Sequence, residues 1–140
     1  MAGQACAFCV PASEPRAGSV RMSGMYGVPQ DLDLSAVVGE FTTQVHVGQY
    51  DLQFTFGSVN FAVQSQASVL NGEQVVAHWS EGLWPEAGFF DVMNAAAVRW
   101  TIGPDQIVLD LENGLSLRFV DDSEQYETMQ IRIGDDLWVI

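Results

Sequence analysis

Residues 34–63 of this chain and the residues 55 positions further on carry the same apolar pattern. The shift places Leu34 over Phe89, Val37 over Val92, Val38 over Met93 and Phe41 over Ala96. It continues through Val45/Trp100, Val47/Ile102, Leu52/Ile107, Phe54/Leu109 and Phe56/Leu111, with Gly48 over Gly103. After one inserted residue it resumes at Val59/Leu115, Phe61/Leu117 and Val63/Phe119. A repeated core pattern restricts the fold strongly, because each copy must bury the same face of the same elements. Alternating strands also match one another easily, so two independent meanders are the alternative to a duplication.

Each copy opens with helical spacing. Leu34, Val37, Val38 and Phe41 stand at i, i+3, i+4 and i+7, and Phe89, Val92, Met93 and Ala96 repeat that spacing. Asp31 or Asp33 suits the start of the first helix and Gly39 its end. Pro85 and Glu86 suit the first turn of the second.

Strands follow. Leu52, Phe54 and Phe56 alternate with Gln53 and Thr55, and Val59, Phe61 and Val63 alternate in turn, which is the pattern of a half-buried antiparallel sheet. A two-residue Gly57-Ser58 loop sets Phe56 opposite Val59 on one face, and glycine in first place fits a type II′ turn. In the second copy, Leu111 and Leu115 share a face only across a three-residue loop, Glu112-Asn113-Gly114, with Gly114 left-handed in a bulge. Further strands are predicted at 41–47, 73–79 (Val75, Ala77 and Trp79 inward), 97–102, 127–133 (Met129, Ile131 and Ile133 inward) and 136–140.

The predicted fold is α+β and predominantly antiparallel β. It has about nine short strands and two short helices, in two tandem helix-plus-meander repeats (34–80 and 89–140) closing as a barrel or sandwich. Residues 1–30, rich in Ala, Gly, Ser and Pro, read as a mobile tail before a single domain at 31–140, and Met22 or Met25 could be the true start.

Charge narrows the partners. Eighteen acids face five arginines and no lysine, a net −13. Residues 1–80 hold six acids and two arginines (−4), and residues 81–140 hold twelve and three (−9). Such a surface repels phosphate backbones and anionic membranes, and it also serves solubility. No stretch has the roughly 20 apolar residues of a membrane span. The N-terminus lacks the apolar core of a secretory signal, and both cysteines, Cys6 and Cys9, lie in the tail, so a reducing cytoplasm is expected.

Catalytic signatures are missing. The two histidines, His46 and His78, fall opposite the inward rows, and there is no G-x-S-x-G, H-E-x-x-H or glycine-rich phosphate loop. Cys6-x-x-Cys9 has no second ligand pair to complete a zinc site. Asp51, Asp110 and Glu112 lie outside the inward rows, where burial would raise a carboxyl pKa. No enzyme activity, cofactor or metal is therefore expected. The acidic C-terminal third reads either as solvated turns or as an anionic docking surface. Its residues are Asp121, Asp122, Glu124, Tyr126 and Glu127 on one rim, with Asp135, Asp136 and Trp138 on another, and Trp84 is a further aromatic anchor. Leu137-Trp138-Val139-Ile140 could form an edge strand open to homodimerisation.

The run Gly114-Leu115-Ser116-Leu117-Arg118-Phe119, followed by Tyr126-Glu127-Thr128-Met129-Gln130-Ile131, resembles a bacterial family of small uncharacterised β-rich domains. Some of these are similar to the immunity proteins of toxin systems. The resemblance implies a non-catalytic inhibitor and carries over no functional residue. The leading expectation is thus an acidic cytoplasmic protein that docks a basic protein, as an immunity factor docks a toxin domain. Two alternatives are a ligand-binding β-barrel lined by Trp79, Trp100, Phe54 and Phe61, and a nucleic-acid mimic presenting a row of carboxylates.

Overall fold

The computed structural model describes residues 20–22, 27–123 and 126–140. Cys6, Cys9, Met25 and Glu124 lie outside the described residues. Eleven strands run through the described chain: β1 (Val20–Met22), β2 (Thr42–Val47), β3 (Leu52–Phe56), β4 (Val59–Val63), β5 (Gln66–Asn71) and β6 (Gln74–Ser80). They continue as β7 (Ala97–Ile102), β8 (Gln106–Leu111), β9 (Leu115–Val120), β10 (Met129–Ile133) and β11 (Asp136–Val139). One sheet has the order β6-β5-β9-β8-β7 and the other β1-β11-β10-β4-β3-β2. Every pairing is antiparallel except that of β1 with β11. The molecule is a β-sandwich, and its sheets do not close into a barrel.

The path between the sheets follows one rule twice. The meander β2-β3-β4 stays in one sheet, then the hairpin β5-β6 crosses over and pairs β5 with β9. The meander β7-β8-β9 stays in the second sheet, and the hairpin β10-β11 crosses back to pair β10 with β4. Each half therefore completes the sheet that the other half began. The 55-residue shift reappears in the bonds where β2 meets β7. The Gly39 N–H donates to Ala97 O and the Asn94 N–H to Thr42 O, both at 2.8 Å. The Ala97 N–H donates to Glu40 O at 3.0 Å and the Thr42 N–H to Ala95 O at 2.9 Å. Phe41 and Ala96, equivalent by the shift, pair with each other. Register breaks match as well, falling at Thr42/Gln44 and at Ala97/Arg99.

The inward rows meet between the sheets. Leu52, Phe54, Phe56, Val59, Phe61 and Val63 face Ala67, Val69, Ile107, Leu109, Leu117 and Phe119, and all are fully buried. Phe119 joins the layers, its ring centroid 5.4 Å from that of Phe54 and 5.1 Å from that of Phe61. These rings and Trp79 are buried between the two sheets, with Trp100 partly buried against them.

Local geometry agrees with the turn chemistry. Phe56 pairs with Val59 across Gly57-Ser58, and Gly57 alone of the two has positive φ, as type II′ requires. The register Ser116↔Asp110 and Leu117↔Leu109 continues to Leu115 opposite Leu111, with Gly114 at φ 87°.

Four expectations need correction. The helical spacing yields only 3₁₀ segments, Ser35–Val37 and Ala87–Val92. Leu34 and Val37 are buried, whereas Val38 and Phe41 are about half exposed, because the chain turns extended at Val38 and passes Gly39 at φ 88°. A 3₁₀ turn takes three residues and eclipses the side chains at i and i+3, so an i, i+3 pair is satisfied without an α-helix. Second, Val75 is exposed. The extra residue in β6 between the pairs Val69↔Ala77 and Leu70↔Val75 moves Val75 to the outer face. Third, residues 20–22 and 27–30 are joined to the domain, since β1 pairs with β11 and Val28 is buried. Fourth, that pairing covers Leu137–Val139, so β11 is not an open edge for homodimerisation. No helix among the described residues is long and apolar enough to cross a membrane.

Candidate functional site

The Gly134-Asp135 turn reverses the chain between β10 and β11 and sets Ile133 opposite Asp136. Gly134 adopts φ 59°, and its N–H donates to Ser58 O at 3.0 Å, which ties this hairpin tip to the β3–β4 turn. Asp136 and Trp138 share one side of β11 by the two-residue strand period. Against that side comes the segment before the first 3₁₀ turn, bringing Asp31, Asp33, Ser35 and Ala36. The two segments enclose a cleft of about 310 Å³ lined by Asp31, Asp33, Ser35, Ala36, Ile133, Asp136 and Trp138.

Three carboxylates thus line one cleft together with one indole. Asp33 is fixed by the Ser35 backbone N–H, which donates to its Oδ1 at 2.9 Å. That bond first, and the Ser35 hydroxyl second, hold the Asp33 carboxyl below its ordinary range, so it stays ionised. Trp138 is 9% exposed and offers a firm wall. An apolar ring beside carboxylates suits a flat cation such as a guanidinium, which gains from both charge and the ring face.

The sequence-assigned rim divides. Asp121 is 2% exposed: its Oδ2 accepts from the Gly27 N–H and its Oδ1 from the Thr128 hydroxyl, both at 2.8 Å. It joins three segments of the fold and is buried among them. Asp122 is exposed and accepts from the Gln66 side-chain amide at 2.9 Å. Tyr126 is 76% exposed, and Glu127 accepts from Gln130 at 2.5 Å. Asp122 and Glu127 precede β10, whereas Asp135 and Asp136 follow it, so the acids stand at opposite ends of that strand. Asp122 and Glu127 therefore do not form one row with Asp135 and Asp136. Asp31 and Asp33 were missed as site residues, because their spacing before an apolar run reads as capping and nothing local places them beside a hairpin a hundred residues away.

Elsewhere, His78 pairs with Ser68 on the outer face of the five-stranded sheet, Nδ1 lying 3.0 Å from Oγ. Ser68 is only 3% exposed, and Glu86 bonds the His78 backbone N–H instead of the ring. His46 is exposed and bonded to Gln44. Among the described residues no group of three or more His, Cys, Asp or Glu is placed to hold a metal ion. Comparison with family models, with curated proteins and with solved structures finds no match to this chain.

Proposed function

We propose that this protein is a non-enzymatic binding protein that captures a basic protein partner through the Asp31–Asp33–Asp136–Trp138 cleft. The observation that carries this reading is that three carboxylates from two distant segments line one cleft with one indole, in a chain of net charge −13. Long-range attraction speeds encounter with a cationic surface, and the cleft then selects one arginine or lysine side chain. A basic toxin domain is the partner class that the sequence resemblance implies, with the protein acting as its immunity factor.

The test uses short peptides. A blocked Gly-Arg-Gly peptide shifts the Trp138 indole resonance, and its citrulline counterpart, which keeps the shape without the charge, does not. The shift weakens severalfold in 0.5 M salt and is lost in the Asp31→Asn/Asp33→Asn/Asp136→Asn variant. Equal response to both peptides, or a response that ignores those three substitutions, overturns the reading.

A further inference from the structure

Across the outer face of the five-stranded sheet one row of side chains runs Thr101, Val108, Arg118, Ser68 and His78, from β7 to β6. Residues opposite each other in antiparallel strands share a face, so all five project on one side. Their chain neighbours Ala67, Ala77, Leu117 and Phe119 are buried between the sheets, which sets this row outside. Ser68 is nevertheless only 3% exposed. Its short side chain lies below the longer arginine and histidine that flank it.

Both flanking groups keep unused donors. His78 turns Nδ1 to the Ser68 hydroxyl at 3.0 Å, and its other ring nitrogen, Nε2, has no partner among the described residues. The half-buried Arg118 guanidinium has neither a hydrogen bond nor an ion pair among them. Its Nε is buried without a partner, whereas its terminal nitrogens are not buried. A guanidinium has five N–H donors and no acceptor, so leaving it unpaired there costs free energy. The neighbouring carboxylates are engaged elsewhere. Asp110 takes the Ser116 hydroxyl on Oδ1 at 2.7 Å and Arg99 on Oδ2 at 2.8 Å. Asp122 takes the Gln66 amide at 2.9 Å, and Glu86 takes the His78 backbone N–H at 2.7 Å on the open edge of β6. Nor does the frame require a cation at this place, since a shift of 56 puts Ala62 where Arg118 stands.

We propose that Arg118 and His78 bind an oxyanion, a phosphate or carboxylate group, above Ser68. Adjacent strands lie about 4.8 Å apart, so the backbones of Arg118 and His78, two strands apart, are separated by about 10 Å. That span leaves room for one oxyanion between two long side chains that lean over a serine. Arg118 offers the anion paired N–H groups of its planar fork. With the Ser68 hydroxyl donating to Nδ1, His78 carries a proton on Nε2 and donates from the other side. The net charge of −13 does not forbid the site, because screening at 0.15 M salt confines charge effects to about 8 Å. Asp110 is the only acid in the five strands of this sheet, and Arg99 offsets it.

The experiment titrates inorganic phosphate, and separately acetate, into the full chain at constant ionic strength, reading the Arg118 Nε–Hε and His78 ring signals by NMR. Both signals shift and saturate together. Affinity falls at least tenfold in Arg118→Gln and severalfold in His78→Gln. It is unchanged in Arg132→Gln, which removes an exposed arginine from the other sheet. Should Arg118→Gln fail to fold, Arg118→Lys keeps the charge without the fork and shows a severalfold loss. Saturation by phosphate alone assigns a phosphate group, and saturation by acetate as well extends the site to carboxylates. A shift that never saturates, or an equal loss in Arg118→Gln and Arg132→Gln, means diffuse attraction and overturns the proposal. The acidic cleft lies on the other sheet and is tested with a cationic peptide, so either site can fail alone.

Discussion

Gly39 and Asn94 occupy the same place in the two halves, and both adopt left-handed backbone, at φ 88° and 64°. Around them run matched bonds, matched register breaks and matched 3₁₀ turns, since Val38 N–H to Ser35 O and Met93 N–H to Phe90 O are both 3.2 Å. What differs lies at the rim. The first half has a short crossover through Gln64 and Ser65, and the second a longer one from Asp121 to Thr128. Among the described residues the first half leaves its β2–β3 turn uncovered, and the second covers its β7–β8 turn with residues 27–30. The halves teach that the bonding frame tolerates little change, whereas charge and access vary at the loops.

The largest effect is expected in the shared core. Phe54 and Leu109 are equivalent, and both are fully buried in the strands next to the centre of each layer. Phe54 also stacks on Phe89 at 6.0 Å and on Phe119 at 5.4 Å. Phe54→Ala therefore costs about 4 kcal/mol and Leu109→Ala about 3 kcal/mol, read from urea midpoints at unchanged slope. A larger loss at Leu109 would break the equivalence of the two layers.

Next come the crossovers. Asp121 and Ser65 are equivalent by a shift of 56, one residue having entered at the β8–β9 loop. The Ser65 hydroxyl donates to Val120 O, whereas the Asp121 carboxylate receives two donors from segments 94 and seven residues away. Asp121→Ala leaves the Gly27 N–H and the Thr128 hydroxyl without that partner and costs about 2–3 kcal/mol. Ser65→Ala costs about 1 kcal/mol. Equal costs would mean that the N-terminal segment is not held through Asp121.

The left-handed pair gives a smaller contrast. A Cβ at Gly39 meets nothing within 4 Å, so Gly39→Ala costs only the backbone term, about 1–2 kcal/mol. Asn94→Ala costs less than that, about 1 kcal/mol, and Asn94→Gly is neutral or slightly stabilising. Thermal unfolding of the three variants checks the order.

Much of the sheet was readable because side-chain parity is a local rule. It located the strands, the Gly57-Ser58 turn and the three-residue loop at 112–114. The 3₁₀ turns were misread because Leu34 and Val37 at i and i+3 satisfy both helix types, and only Val38 and Phe41, exposed, tell them apart. The exchange of hairpins between sheets left no trace, since β5 pairs with β9 through contacts some fifty residues apart in sequence that no local spacing encodes. For the same reason Asp121 read as part of an exposed acidic loop, its donor Gly27 being 94 residues away. The cleft drew Asp136 and Trp138 from the sequence and Asp31 and Asp33 from the fold.

The smallest effect isolates charge in a single matched bond. On the outer face of the first half the Asn60 side chain donates to the Thr55 hydroxyl at 2.8 Å, and its counterpart in the second half is the Ser116 hydroxyl donating to Asp110 at 2.7 Å. The contact is neutral in one layer and ionic in the other, where Arg99 also reaches Asp110 at 2.8 Å. The Ser116 bond first, and Arg99 after it, hold the Asp110 carboxyl below its ordinary value of 3.8, against some opposition from burial. A depressed folded pKa means that this stabilisation is complete above pH 3.8 and disappears as the pH falls through the lower folded value. Solvent screens the group, so Asp110→Asn costs about 0.5 kcal/mol at pH 7, and the variant converges on the natural chain in acid. Thr55→Val changes stability by the same amount at every pH, because neither member of its pair titrates. If the two pH profiles instead run parallel, the ionic bond carries no weight and the halves are alike in energy as well as in form.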